Sequence, residues 1–196
     1  MNAKVSQAQR HIDDGEIEIL RGGDRVFIRP MRTTDIEMER TFIEGLSPHS
    51  RRFRFLETML SPSEPLLRQM TTVDPRAGIA FVAVIDDALR DHEVGVGRFS
   101  ARPGDSECEF ALAVSDAWQN KGLGTHLMHR LVIAARARGI TTMYSSDSSD
   151  NDLMRKFAAH LHLQSTRDPD DATQVIYSMT LLPSMPGKAA SSRTPI

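Results

Sequence analysis

Apolar and polar positions follow two different periods along this chain. Glu16–Leu20 and Arg25–Pro30 alternate around Gly22-Gly23-Asp24, which predicts a β-hairpin. Thr34 or Asp35 then caps a helix to about Glu44, with Ile36, Arg40 and Phe42-Ile43 in its register. Ser47-Pro48 opens a second helix, HSRRFRFLETM. Ser61–Thr72 reads as a third, with Pro62 and Pro65 at its start, where proline is tolerated. Ile79–Ile85 and Val94–Ala101 are strands joined by the charged turn DDALRDHE. With Glu107–Val114 they predict an antiparallel meander, because the connections are short. From Gly122 the period turns helical, Leu123, Leu127, Leu131 and Ala135 recurring every fourth residue until Gly139. Ile140–Ser145 is a further strand, and Ser148-Ser149-Asp150-Asn151 caps a helix to about Leu161. Leu163–Thr166 and Val175–Leu182 complete the strands, the second after the turn DPDD. A meander followed by strand–helix–strand predicts a mixed α/β domain, its central sheet mostly antiparallel and flanked by helices. Residues 1–15 are polar and aperiodic and residues 183–196 are rich in Pro, Ser and Ala, so one domain over 16–182 is expected between two flexible tails.

The stretch ECEFALAVSDAWQNKGLGTHLM carries the most chemistry. Cys108, Phe110, Leu112 and Val114 share one face of its strand, while the other bears two acids and two small residues, Glu107, Glu109, Ala111 and Ala113. Gln119-Asn120-Lys121-Gly122-Leu123-Gly124-Thr125 then opens the helix. A first helical turn leaves backbone N–H groups unpaired at a partly positive end. Glycines let an anion reach that backbone without meeting a Cβ, and Lys121 adds a charge. The junction reads as a cradle for a phosphate or pyrophosphate. The Walker pattern is absent, because no Gly-Lys-Ser/Thr closes the run, and there is no third glycine for a dinucleotide fingerprint.

Composition narrows the partners. At 196 residues, 40% hydrophobic, 26% charged and with a net charge of −2, the chain has ordinary globular values and no global attraction for nucleic acid. No apolar run approaches the roughly 20 residues of a membrane helix, and MNAKVSQAQRHIDDGE has no signal-peptide core. A lone cysteine, Cys108, excludes an internal disulfide framework and suits a reducing cytoplasm; its alternation makes it a buried structural thiol rather than a nucleophile. No Cys/His cluster has zinc spacing, and His126 and His129 read as partly exposed helix residues.

Gln119-x-x-Gly122-x-Gly124, after a strand and opening a helix, resembles the acyl-CoA signature of the GNAT superfamily of N-acetyltransferases. The order of elements from about residue 16 to 182 matches that family as well. Arg29-Pro30, Leu46-Ser47-Pro48, Ser50-Arg51 and Phe53-Arg54-Phe55 are similar to the start of the domain in bacterial protein lysine acetyltransferases that modify acetyl-CoA synthetase. The resemblance implies acetyl-CoA as co-substrate. Backbone groups at Leu112, Ala113 and Val114 would pair with the pantetheine arm. Gln119 and the backbone at Lys121, Gly122, Leu123, Gly124 and Thr125 would hold the pyrophosphate, and Asn151 would contact the arm. It implies Glu109, in Glu109-Phe110-Ala111, as the general base, with Glu107 as the fallback. The basic cluster Arg51, Arg52 and Arg54 reads as a solvated helix face, as a lip of the acceptor site or as a contact to the CoA phosphates.

A base is needed because a lysine of pKa ~10.4 is only about 0.04% deprotonated at pH 7. A ternary complex with direct attack then suffices. The chain departs from the family in two places. Ala158 stands where many members carry a tyrosine acid, and His162-Leu163 replaces a common Gly-Phe. Solvent can reprotonate a thiolate of pKa near 8.5, with Tyr144 as an alternative donor. The acceptor is expected to be a protein lysine. A small-molecule amine (a polyamine, amino acid or antibiotic) is the competing acceptor, and a non-catalytic acyl-CoA-binding module the competing class. Monomer and homodimer stay open.

Overall fold

The computed structural model describes residues 15–55, 61–87 and 90–181. The expected tails, apart from Gly15, lie outside these residues, as do the end of the second predicted helix and the centre of the charged turn. Eight described strands form one sheet: β1 (Glu16–Ile19), β2 (Arg25–Pro30), β3 (Gly78–Asp87), β4 (Arg90–Ser100), β5 (Glu107–Val114), β6 (Thr142–Ser148), β7 (Gln164–Arg167) and β8 (Gln174–Thr180). Their order is β1-β2-β3-β4-β5-β6-β8-β7. Every described pairing is antiparallel except β5 with β6. The helices are α1 (Ile36–Gly45), α2 (Pro48–Phe55), α3 (Glu64–Thr71), α4 (Leu123–Ala137) and α5 (Asp152–His160). None of them is long and apolar enough to cross a membrane.

The mixed, mostly antiparallel architecture agrees with the sequence pattern, and the meander β3–β4–β5 is as expected. Two differences of boundary have a clear physical cause. The expected charged turn DDALRDHE is largely strand: β3 and β4 continue through Asp86↔Asp91, because an antiparallel pair can run into solvent on backbone bonds alone. The strand expected at Ile140–Ser145 spans Thr142–Ser148, carried past its apolar residues by pairing with β8 as far as Ser148↔Gln174.

α4 covers one face of the sheet with Leu123, Leu127, Leu131 and Ala135, all buried against Phe81, Phe99 and Phe110. Small residues allow this approach: a Cβ on Gly97 would lie 2.8 Å from Leu112 Cδ2 and 3.3 Å from Leu131 Cδ1. The opposite face packs Phe42, Ile43, Leu46, Leu67 and Met70 of the α1–α3 layer around Val96. A β-bulge makes both faces work. Ala83 pairs with Gly95 and Val84 with Glu93, leaving Val94 as the extra residue. Val94 joins the α4-side core, while Val96 joins the α1 side.

The bulge also buries a carboxyl. Glu93 and Glu39 of α1 are 7% and 0% exposed. Arg98 Nη2 donates to Glu39 Oε1 at 3.2 Å, and nearby Arg29 forms a bidentate pair with Asp35 at 2.7 and 2.9 Å. Burial first, then the charge of Glu39, push the Glu93 carboxyl well above its ordinary range, against the opposing pull of Arg98. Two guanidiniums thus face three carboxyls, and a proton on Glu93 balances the charge. That proton also gives a hydrogen bond to oxygens of Glu39 and Glu93 that otherwise have no partner.

α4 ends in a Schellman motif, with Gly139 at φ 80° and Ile140 N–H bonding Ala135 O. α5 ends in the same way, with Leu163 N–H on Ala158 O, but the left-handed position is filled by His162 at φ 55°. The departure from a glycine at this place therefore keeps the turn and adds Cβ strain.

Two stability effects are expected. His162→Gly raises the unfolding free energy by about 1 kcal/mol, measured by urea denaturation. The folded-state pKa of Glu93 lies above its unfolded value, so its contribution is present at low pH and lost as pH rises between the two, by up to about 1.4 kcal/mol per pH unit. Glu93→Gln, which keeps a donor without the charge, is expected to gain on wild type in urea unfolding between pH 5 and pH 8.

Candidate active site

The cleft originates where β5 and β6 stop pairing. Their parallel ladder holds only Glu107↔Thr142, Cys108↔Met143 and Glu109↔Tyr144. Beyond it β5 follows β4 to Val114↔Gly95, while β6 follows β8 to Ser148↔Gln174. The two strands part, and a cavity of about 490 Å³ occupies the wedge. It is walled by Glu109–Val114 on one side and Ser145–Asp147 on the other, and floored by the start of α4 and by α5.

Among the expected site residues, Glu109, Leu112, Ala113, Val114, Gln119, Gly122, Leu123, Gly124, Thr125 and Asn151 all line this cavity. Asn120 and Gly122 have left-handed backbones, φ 60° and 93°, two residues apart. Left-handed positions in a loop are one means by which backbone N–H groups converge on an anion. Gly124 has a packing reason as well, since its Cβ would come within 3.2 Å of the Phe157 ring of α5.

Lys121 is not on the cavity wall: its Nζ lies 3.0 Å from Asp24 Oδ2 and 4.6 Å from the Trp118 ring centroid. The lysine ties the β1–β2 hairpin to the cradle, together with Arg21 N–H on Lys121 O at 3.0 Å. The hairpin brings Arg21 to the cavity, a cation that no local motif announces.

The polar side chains are held by one another. Gln119 Nε2 donates to Val114 O at 3.2 Å and to Ser50 Oγ at 3.3 Å. Asn151 is buried and caps α5, its Oδ1 accepting from Met154 N–H at 3.1 Å, while its Nδ2 donates to Asp147 Oδ1 at 2.9 Å. Burial pushes the Asp147 carboxyl up, against the Asn151 and Ser148 hydrogen bonds that favour its charged form. Asp147, Ser145 and Ser146 carried no signal in the sequence, because a polar strand end looks the same whether it faces a cleft or a loop.

Glu109 is exposed at the base of the wedge and pairs in register with Tyr144. Burial, then the charges of Glu109 and Glu107, raise the Tyr144 phenol above its ordinary value, so it stays protonated at neutral pH. Neither Tyr144 nor Glu107 lines the cavity, and Ala158 is packed in the interior at 3% exposure. Of the basic cluster, Arg51 bonds Leu46 O at 3.0 Å and Arg52 pairs with Asp150 at 2.9 Å, while the Arg54 side chain lies outside the described residues.

A mixed sheet parted between two parallel strands, with a glycine-rich helix start below the gap, defines an acyltransferase of the GNAT class. The chain belongs to the acetyltransferase (GNAT) family, whose model matches residues 45–162. It is 40% identical over 181 residues to an acetyltransferase of Pseudomonas aeruginosa, covering 92% of this chain and 97% of the relative. The GNAT domain of S. lividans PAT shares its fold with a TM-score of 0.79 at 23% identity, over 85% of this chain and 97% of that one. A cAMP-binding acyltransferase of Mycobacterium smegmatis aligns with a TM-score of 0.59 at 22% identity, over 92% of this chain but only 51% of that chain.

Cys108 lies on the core face of β5, 1% exposed, and burial pushes its thiol up to about 12. Native protein at pH 8 is therefore expected to resist iodoacetamide, and urea-unfolded protein to react at once, as followed by intact mass.

Proposed function

We propose that this protein transfers the acetyl group of acetyl-CoA directly to a primary amine, the side chain of a protein lysine, with Glu109 as general base. The supporting observation is that Glu109 and the cradle residues Gln119, Gly122, Leu123, Gly124 and Thr125 line one cavity. A pyrophosphate seated on the first turn of α4 directs the pantetheine arm along the wedge toward Glu109. The edge of β5 at Leu112, Ala113 and Val114, which β6 no longer covers, flanks the arm as a neighbouring strand would. Asn151 contributes to the same wall, and Lys121 supports the cradle through Asp24 and Trp118.

Delivering a free lysine amine at pH 7 costs roughly 4–5 kcal/mol. A carboxylate at the thioester end removes the proton as the nitrogen attacks, directly or through a water. The C–N bond forms, the C–S bond breaks, and the thiolate leaves. With Ala158 buried and Tyr144 off the cavity wall, solvent is the proton source for that thiolate. A protein acceptor fits α2, whose Leu46-Ser47-Pro48 to Phe53 segment carries the likeness to protein lysine acetyltransferases and places Ser50 and Phe53 on the cavity. The cavity wall carries two carboxylates, Glu109 and Asp147, and two cations, Arg21 and Lys156, which is no pocket for a polycation.

The test is transfer of label from acetyl-CoA in a cell lysate by wild type and Glu109→Gln. Label in the protein fraction, lowered about 10²- to 10⁴-fold in the variant, is expected. Label confined to small molecules would overturn the lysine acceptor. Unchanged turnover in Glu109→Gln would remove the base, and binding without any transfer would make the chain a non-catalytic acyl-CoA module.

A further inference from the structure

α2 is fastened to both banks of the wedge. At its start, Asp116 of the 3-10 turn Asp116–Trp118 accepts Ser47 N–H at 3.0 Å, Ser47 Oγ–H at 2.8 Å and Ser50 Oγ–H at 2.8 Å. Burial works against ionisation of Asp116, but these bonds outweigh it and hold the carboxyl below its ordinary range. Ser50 Oγ also accepts Gln119 Nε2, the side chain that opens the cradle. One turn further on, Arg52 bridges to Asp150 beside the start of α5. Ser50 and Phe53 line the cavity, so the helix beside Glu109 and the loop beneath the phosphates form one hydrogen-bonded unit.

We propose that Asp116 is a positioning residue that couples occupation of the acyl-CoA cradle to the stability of α2, so that bound co-substrate tightens the wall of the acceptor side. The physical route is short. The backbone between Asp116 and Gly122 carries both the three serine bonds and the cradle amides. An anion that fixes Gln119–Gly122 therefore fixes the carboxylate on which α2 hangs. The coupling rests on the acyl-CoA reading of the cavity, not on the identity of the acceptor. It is also reciprocal: whatever factor CoA adds to the closed state of α2, loss of the clasp must subtract from CoA affinity.

Trp118 is the only tryptophan of the chain and lines the cavity, so its fluorescence reports CoA binding by a readout separate from the exchange of α2. Hydrogen exchange of residues 47–53, with and without CoA, reports the helix. In wild type, CoA is expected to slow this exchange roughly five-fold or more, the scale of one or two hydrogen bonds. In Asp116→Ala, CoA should still change Trp118 fluorescence, with affinity weaker by the same factor, and should leave exchange in 47–53 unchanged. Asp116→Asn, which keeps one acceptor oxygen, should return part of the protection. Should Asp116→Ala not fold, Ser50→Ala decides the matter, since it removes only one hydroxyl from the clasp. Full CoA-dependent protection in either variant, or none in wild type, overturns the coupling. No Trp118 response in wild type would sink the acyl-CoA reading itself, and the coupling with it.

Discussion

The parting of β5 from β6 is the constraint on which the rest of this molecule depends. Parallel strands normally stay paired, because each unpaired backbone group away from water costs free energy. Here the ladder ends after Glu109↔Tyr144, and the separated strands are claimed by different partners, β4 on one side and β8 on the other. The gap therefore cannot close without breaking one of two antiparallel ladders. A slot with backbone edges results, and the bonding of the whole sheet holds it open.

Packing on the two faces sustains the split. α4 sits close to β4 because Gly95 and Gly97 present no side chains to Leu123, Leu127 and Leu131. That closeness puts the glycine-rich start of α4 directly below the slot. On the other face, the bulge at Val94 turns Glu93, Val96 and Arg98 toward α1, where the buried Glu39–Glu93–Arg98 cluster replaces part of an apolar core. A protonated carboxyl is less costly to bury there than an unpaired charge would be.

The site is built from contacts distant in sequence. Lys121 reaches Asp24, Gln119 reaches Ser50, Asp116 gathers Ser47 and Ser50, and Arg52 crosses to Asp150. Each of these places a polar side chain where it restrains a loop of the cleft. Such restraint holds the groups of an acyltransferase site in a fixed geometry.

The sequence by itself determined the elements and their faces. The alternation of Cys108 to Val114, the four-residue spacing of Leu123 to Ala135 and the glycines at 122 and 124 are local properties, because period and backbone freedom are written in neighbouring residues. It also brought the cavity-lining residues Glu109 and Gln119 to attention, through a motif contiguous in the chain. Only the tertiary structure decided that β6 runs to Ser148, that DDALRDHE is mostly strand, and that Lys121 turns away from the cavity to Asp24. Arg21, Asp147 and the Asp116 clasp belong to the same class. Their places at the cavity depend on how strands and loops far apart in sequence come together, and a polar side chain has no period that says which group it will meet.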